Sequence, residues 1–131
     1  MFSHVMIGTN DLDKAVEFYT KVLGVLGAKE PRINAAPSGH HRAFFMHDGS
    51  VFSVSQPIDD KPAAVANGST IGFRCDSPEQ VQEMHDVAVA AGATSIEAPP
   101  GLRQAAMGAM YLAYFRDLDG HKICAIHRVK A

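Results

Sequence analysis

The sequence predicts an α+β domain in which one βαβββ module is written twice. The two copies form a curved mixed sheet, a cup, with the helices on its convex face. Three observations carry this. The order strand, helix, short strands, hairpin runs through the chain two times. The punctuation repeats with it: the helix caps Asp11 and Ser77 are 66 residues apart, and the turn dipeptides Asp48-Gly49 and Asp119-Gly120 are 71 apart. A spacing of that size exceeds the roughly 20 to 50 residues of solenoid repeats and reads as a tandem duplication. Finally, Tyr111 to Phe115 is apolar at both parities, as in a strand covered on both faces.

Phe2 to Thr9 alternates as a strand, with Val5 and Ile7 on one side and His4 and Met6 on the other. Asp11 caps a helix whose apolar stripe is Leu12, Ala15, Val16, Tyr19 and Leu23, and Gly24 is placed to close it. Glu30 to His41 holds two prolines and a glycine and reads as a loop. Ala43 to His47 and Ser50 to Gln56 are short strands joined at Asp48-Gly49.

Pro57 to Gly68 is linker-like, and the pattern then restarts. Ser69 to Asp76 is a strand. Ser77-Pro78-Glu79-Gln80 starts a helix with a serine cap, a proline at the first helical position and a glutamine suited to a capping box. Val81, Met84, Ala88 and Ala91 form its stripe, and Gly92 ends it. Ile96 to Ala98 pairs briefly, and Pro99 to Gly108 reads as a loop. The hairpin of Met110 to His127 closes the chain. Module one is therefore residues 1–58, the linker 59–68 and module two 69–131, together one domain.

Composition narrows the function. Apolar residues make up 47% of the chain and charged ones 20%, so a sizeable core is available. The net charge of -2, without a basic run, argues against nucleic acid as a partner. The most apolar run, Ala105 to Phe115, is too short to span a bilayer. The N-terminus lacks a signal-peptide pattern, and Cys75 and Cys124 lack metal or redox spacing. A reduced, cytoplasmic protein is the expectation.

Strand alternation sorts the side chains of a duplicated cup. Val5, Ile7, Phe52, Val54, Ile71 and Phe73 belong on the helix side. His4 and Ser53 face inward, and the repeat offsets carry them to Thr70 and Cys124. Tyr114 lies across the terminal hairpin from Cys124, and Phe44 pairs back opposite Ser53. None of the four related positions holds a large aliphatic side chain, which suggests a small, partly polar pocket. Arg103, in a loop at the rim, is the candidate for an anionic group.

The chain resembles the vicinal oxygen chelate superfamily, which includes glyoxalase I, extradiol dioxygenases and bleomycin- and fosfomycin-resistance proteins. The resemblance covers nearly the whole chain. It rests on His4-Val-Met-Ile, on Asp11-Leu-Asp-Lys-Ala-Val-Glu-Phe-Tyr-Thr-Lys-Val-Leu-Gly24, and on Asp117-Leu-Asp-Gly-His-Lys-Ile123, where Leu118 replaces the usual proline. It implies His or Glu metal ligands at the four cup positions. Only His4 is kept; Ser53, Thr70 and Cys124 stand at the others, Cys124 where glutamate is common.

One imidazole, two hydroxyls and a thiol are too few good donors for an open divalent site. No bound metal or other cofactor is therefore expected. His40 and His41 are the spare donors to re-examine if one is found. The resemblance leaves two readings: a small-molecule binding protein of the bleomycin-resistance type, or a metal-dependent glyoxalase-type lyase, isomerase or dioxygenase-like enzyme. A homodimer is expected, and the resemblance implies that the cup forms either within one chain or across two. The expected ligand contacts are His4, Phe44, Ser53, Thr70, Arg103, Tyr114 and Cys124.

Overall fold

Asp11 and Ser77 cap the helices as their residue types require. Asp11 accepts a hydrogen bond from the Lys14 N–H at 3.1 Å and Ser77 from the Gln80 N–H at 3.1 Å. Gln80 reaches back to the N–H of Asp76, one residue before the cap. In the computed structural model, which describes residues 1–130, the order is β1 (Val5–Gly8), α1 (Leu12–Gly24), β2 (Arg32–Ala35), β3 (His41–His47) and β4 (Ser50–Ser55). β5 (Ile71–Arg74), α2 (Pro78–Ala90), β6 (Thr94–Ala105), β7 (Gly108–Arg116) and β8 (Lys122–Arg128) follow. The chain divides into two compact units, Met1–Val65 and Ala66–Ala131.

Each unit is one α+β module with its own four-stranded mixed sheet, ordered β1-β4-β3-β2 in the first and β5-β8-β7-β6 in the second. The strands thus hydrogen-bond as two ladders of four, one in each unit. In both, the first strand runs parallel to the last and the remaining pairs are antiparallel. In unit 1, Phe18, Tyr19, Val22 and Leu23 of α1 are buried. The Tyr19 ring lies 4.8 Å from Phe52 and 6.5 Å from Phe45, which fixes Phe45 and Phe52 on the helix face. In unit 2, Val81, Met84 and Ala88 of α2 are buried. His85 of α2 bonds Ser95 of β6 at 2.7 Å, so Ser95 and its partner Phe115 mark the helix face there.

Four boundaries differ from the sequence reading. The first strand is Val5–Gly8 and not Phe2–Thr9, because its pairing with β4 spans only those four residues and Phe2 is exposed. The 30–41 loop contains β2, an edge strand exposed along its whole length and held by backbone bonds to β3. Residues 99–108 form a hairpin and not a loop: β6 resumes at Gly101 after a bulge that absorbs Pro99 and Pro100. Gly24 does not close α1. Val25 stays right-handed, and Gly27 at φ +92° takes the left-handed position, so that the Ala28 N–H reaches the Leu23 carbonyl.

Candidate functional site

Cross-strand register defines the face of each sheet turned away from its helix. In unit 1, Met6, Ser53 and Phe44 are direct partners across β1, β4 and β3. Their neighbours Phe52 and Phe45 belong to the helix face, so these three share the open one. Ser53 is fully buried, and its hydroxyl has no hydrogen-bond partner among the protein groups. A buried polar atom left unpaired costs about 1–3 kcal/mol. Arg42, two residues along β3 from Phe44, holds its guanidinium 5.3 Å from the Phe44 ring centre.

His4 stands one residue before β1, is exposed, and shares a 2.9 Å hydrogen bond with Ser3 through Nδ1. His40 is engaged by Asp60 at 2.7 Å and Ser38 at 2.9 Å. His41 is exposed at the start of β3.

In unit 2, Gly72, Cys124 and Tyr114 are the corresponding partners across β5, β8 and β7. The pair Tyr114–Cys124 therefore repeats the pair Phe44–Ser53. Thr70 precedes β5 and is exposed. Burial pushes the Cys124 thiol above its ordinary range; a hydrogen bond from Tyr114 works against this, and the Glu97 carboxylate adds to it. Burial likewise raises the Tyr114 hydroxyl, with Cys124 and Glu97 reinforcing the shift and Arg103 opposing it. Both groups thus hold their protons at neutral pH. Cys75 lies on the helix side, and burial pushes its thiol up to about 11.

Glu97, Lys122 and Arg42 escaped the sequence reading. Glu97 has φ +60° and opens the bulge between Ile96 and Gly101. Its carboxylate ion-pairs with Lys122, whose ammonium sits 4.8 Å from the Tyr114 ring centre. Arg103 does not project from a loop. It is a β6 residue that donates from one amino group to the carbonyls of Ala98 at 3.0 Å and Pro99 at 2.9 Å, fastening the bulge. Neither Glu97 nor Lys122 had a periodic signal; the only hint was a glutamate shortly before Pro99-Pro100. Within each unit, among the described residues, no three His, Cys, Asp or Glu side chains converge as a metal site.

A chain of two βαβββ modules, each with a helix on one face of its sheet, is the architecture of the glyoxalase and bleomycin-resistance class. The chain matches the Glyoxalase/Bleomycin resistance protein/Dioxygenase superfamily over residues 1–125 and belongs to it. It is 47% identical to a glyoxalase/bleomycin resistance protein from Albidiferax ferrireducens T118, covering 98% of this chain and 99% of that one with a TM-score of 0.89.

A family enzyme from Burkholderia phytofirmans PsJN shares the fold at 20% identity, covering 97% and 98% of the two chains with a TM-score of 0.69. So does a point mutant of the fosfomycin resistance protein FosX from Listeria monocytogenes, complexed with Mn(II) and 1S,2S-dihydroxypropylphosphonic acid; it is 20% identical, with 98% and 93% covered and a TM-score of 0.69. No curated protein matches.

Proposed function

We propose that this member of the superfamily binds a small molecule on the open faces of its sheets and does so without a catalytic divalent metal. The observation that carries the reading is the Ser53 hydroxyl, buried on the open face with no protein partner. A buried polar atom of that kind calls for a partner, and a polar ligand atom supplies one. The contacts assigned are His4, Phe44 and Ser53 in unit 1, and Thr70, Arg103, Tyr114 and Cys124 in unit 2.

The donors do not fit a first-row divalent ion. The Ser53 and Thr70 hydroxyls are neutral, and the Cys124 thiol is held protonated by burial. No step of a reaction is therefore routed through a metal. What the faces offer is shape, an aromatic ring each, and a few hydrogen-bonding groups, which is the composition of a binding pocket.

A thermal-shift screen of small metabolites tests the reading. A ligand at about a hundred times its Kd adds about 2.7 kcal/mol of stability, and Tyr114→Ala removes that gain. Chelator leaves the melting temperature unchanged. A stoichiometric metal in protein never exposed to a nickel column, or no stabilising compound at all, overturns it.

A homodimer in a reducing compartment completes the proposal. Cys75 and Cys124 are free and buried, which suits a reducing cytoplasm. Among the described residues no helix is long and apolar enough to cross a membrane. Light scattering at micromolar concentration reports the assembly, and a monomer overturns that part.

A further inference from the structure

The open face of unit 2 is charged in a way the whole chain is not. By register and alternation, Arg74, Arg103, Arg116, Lys122 and Arg128 belong to the face that carries Tyr114 and Cys124. The Glu97 carboxylate reaches it through Lys122. The chain as a whole has a net charge of -2, so this face is a local excess of positive charge against the average.

Glu97 is on that face by construction. Ile96 pairs with Tyr114, so regular alternation sends the next side chain to the helix face, where Ser95 meets His85. The bulge and the left-handed backbone at Glu97 turn its carboxylate the other way, to Lys122. Bulges re-aim side chains in this manner, and a non-glycine residue held left-handed marks a conformation that the surroundings enforce. Arg103 enforces it through the carbonyls of Ala98 and Pro99. Arg103 uses one amino group for this. Its second amino group and its Nε remain for a ligand.

Resting on the binding reading above, we infer the class of ligand: a small monocarboxylate with a hydrogen-bond donor on the adjacent carbon. Lys122 and Arg103 receive the carboxylate, and Glu97 accepts from the donor. A ligand of this kind leaves neither Glu97 nor Lys122 without a hydrogen-bond partner when their pair opens. A simple monoanion strands Glu97, and a phosphate dianion is repelled by it.

Glycolate and acetate, which differ by one hydroxyl, are the probes, with inorganic phosphate as the third. Binding to the intact chain is followed at low salt by ligand-observed NMR. Glycolate binds roughly tenfold tighter than acetate, the size expected for one hydrogen bond to a charged acceptor. Glu97→Gly, which suits the left-handed backbone, makes glycolate and acetate bind alike, with acetate gaining because no carboxylate is left stranded. Glu97→Gln, which keeps the side-chain shape, narrows the gap. Lys122→Met weakens both carboxylates.

Equal binding of glycolate and acetate, a gap that survives both Glu97 variants, or phosphate tighter than glycolate overturns the inference. So does the absence of any carboxylate binding. If another metabolite stabilises the protein in a Tyr114-dependent way while the carboxylates fail, the ligand class is wrong and the binding reading stands.

Discussion

Glu97 and Lys122 meet on the open face of the second sheet although strand alternation assigns Glu97 to the opposite one. The left-handed backbone at Glu97 makes the difference. Holding an L side chain there costs about 1–2 kcal/mol relative to glycine, whereas a partly exposed ion pair returns about 0–1 kcal/mol. Glu97→Gly is therefore expected to be more stable than Glu97→Ala by about 1 kcal/mol, the reverse of the order normal in a strand. Urea denaturation of the two variants decides it, and an alanine variant as stable as the glycine variant contradicts it.

Gly92 is expected to take a side chain only at a cost in stability. It follows α2 at φ +109°, and a Cβ placed there lies 3.0 Å from Leu118 Cδ2. Left-handed strain and the shift forced on Leu118 act together, so Gly92→Ala costs about 1–3 kcal/mol. Gly24→Ala, in the last turn of α1 with nothing within 4 Å of the added Cβ, is neutral or stabilising. Thermal melts of both variants check the contrast.

These glycines also show what was legible in the sequence. Caps, turns and helix stripes are local devices, and Asp11, Ser77, Asp48-Gly49 and Asp119-Gly120 announced both modules. The face assignment of Phe44, Ser53, Tyr114 and Cys124 needed only alternation counted back from a turn. Arg32–Ala35 was illegible because an exposed edge strand has no apolar rhythm; its order comes from backbone bonds to β3. Glu97 was illegible for a related reason. A bulge breaks the period on which parity rests, and Pro99-Pro100 signalled a loop where the strand only paused.

Alkaline pH is expected to destabilise the fold through Cys75. Its thiol titrates near 9 when unfolded and is pushed up to about 11 by burial. The folded chain thus retains a proton that the unfolded chain loses, so stability falls as pH rises from the unfolded value through the folded one. The slope from this group approaches about 1.4 kcal/mol per pH unit within that window. Cys75→Ala removes its share of the slope while other alkaline titrations continue. Denaturant midpoints of both proteins between pH 8 and pH 11, read from about one unit below to the top of that window, give the comparison; parallel curves refute the assignment.

Ser53 sets stability against binding. Its hydroxyl is buried on the open face without a protein partner, so Ser53→Ala deletes an unsatisfied polar atom and keeps the β-carbon at the position whose cross-strand partners are Met6 and Phe44. Removing such an atom is worth up to about 1–3 kcal/mol, less a small loss for the void left behind. The free protein is expected to gain about 1 kcal/mol. If the hydroxyl serves a ligand, the same substitution weakens whichever compound the thermal-shift screen identifies, and Ser53→Thr, which keeps the oxygen but adds a methyl to a fully buried site, weakens it through crowding instead. A Ser53→Ala protein that is both more stable and poorer at binding places the hydroxyl in the site. One that is less stable shows that the oxygen has a structural partner, and removes the observation on which the binding reading rests.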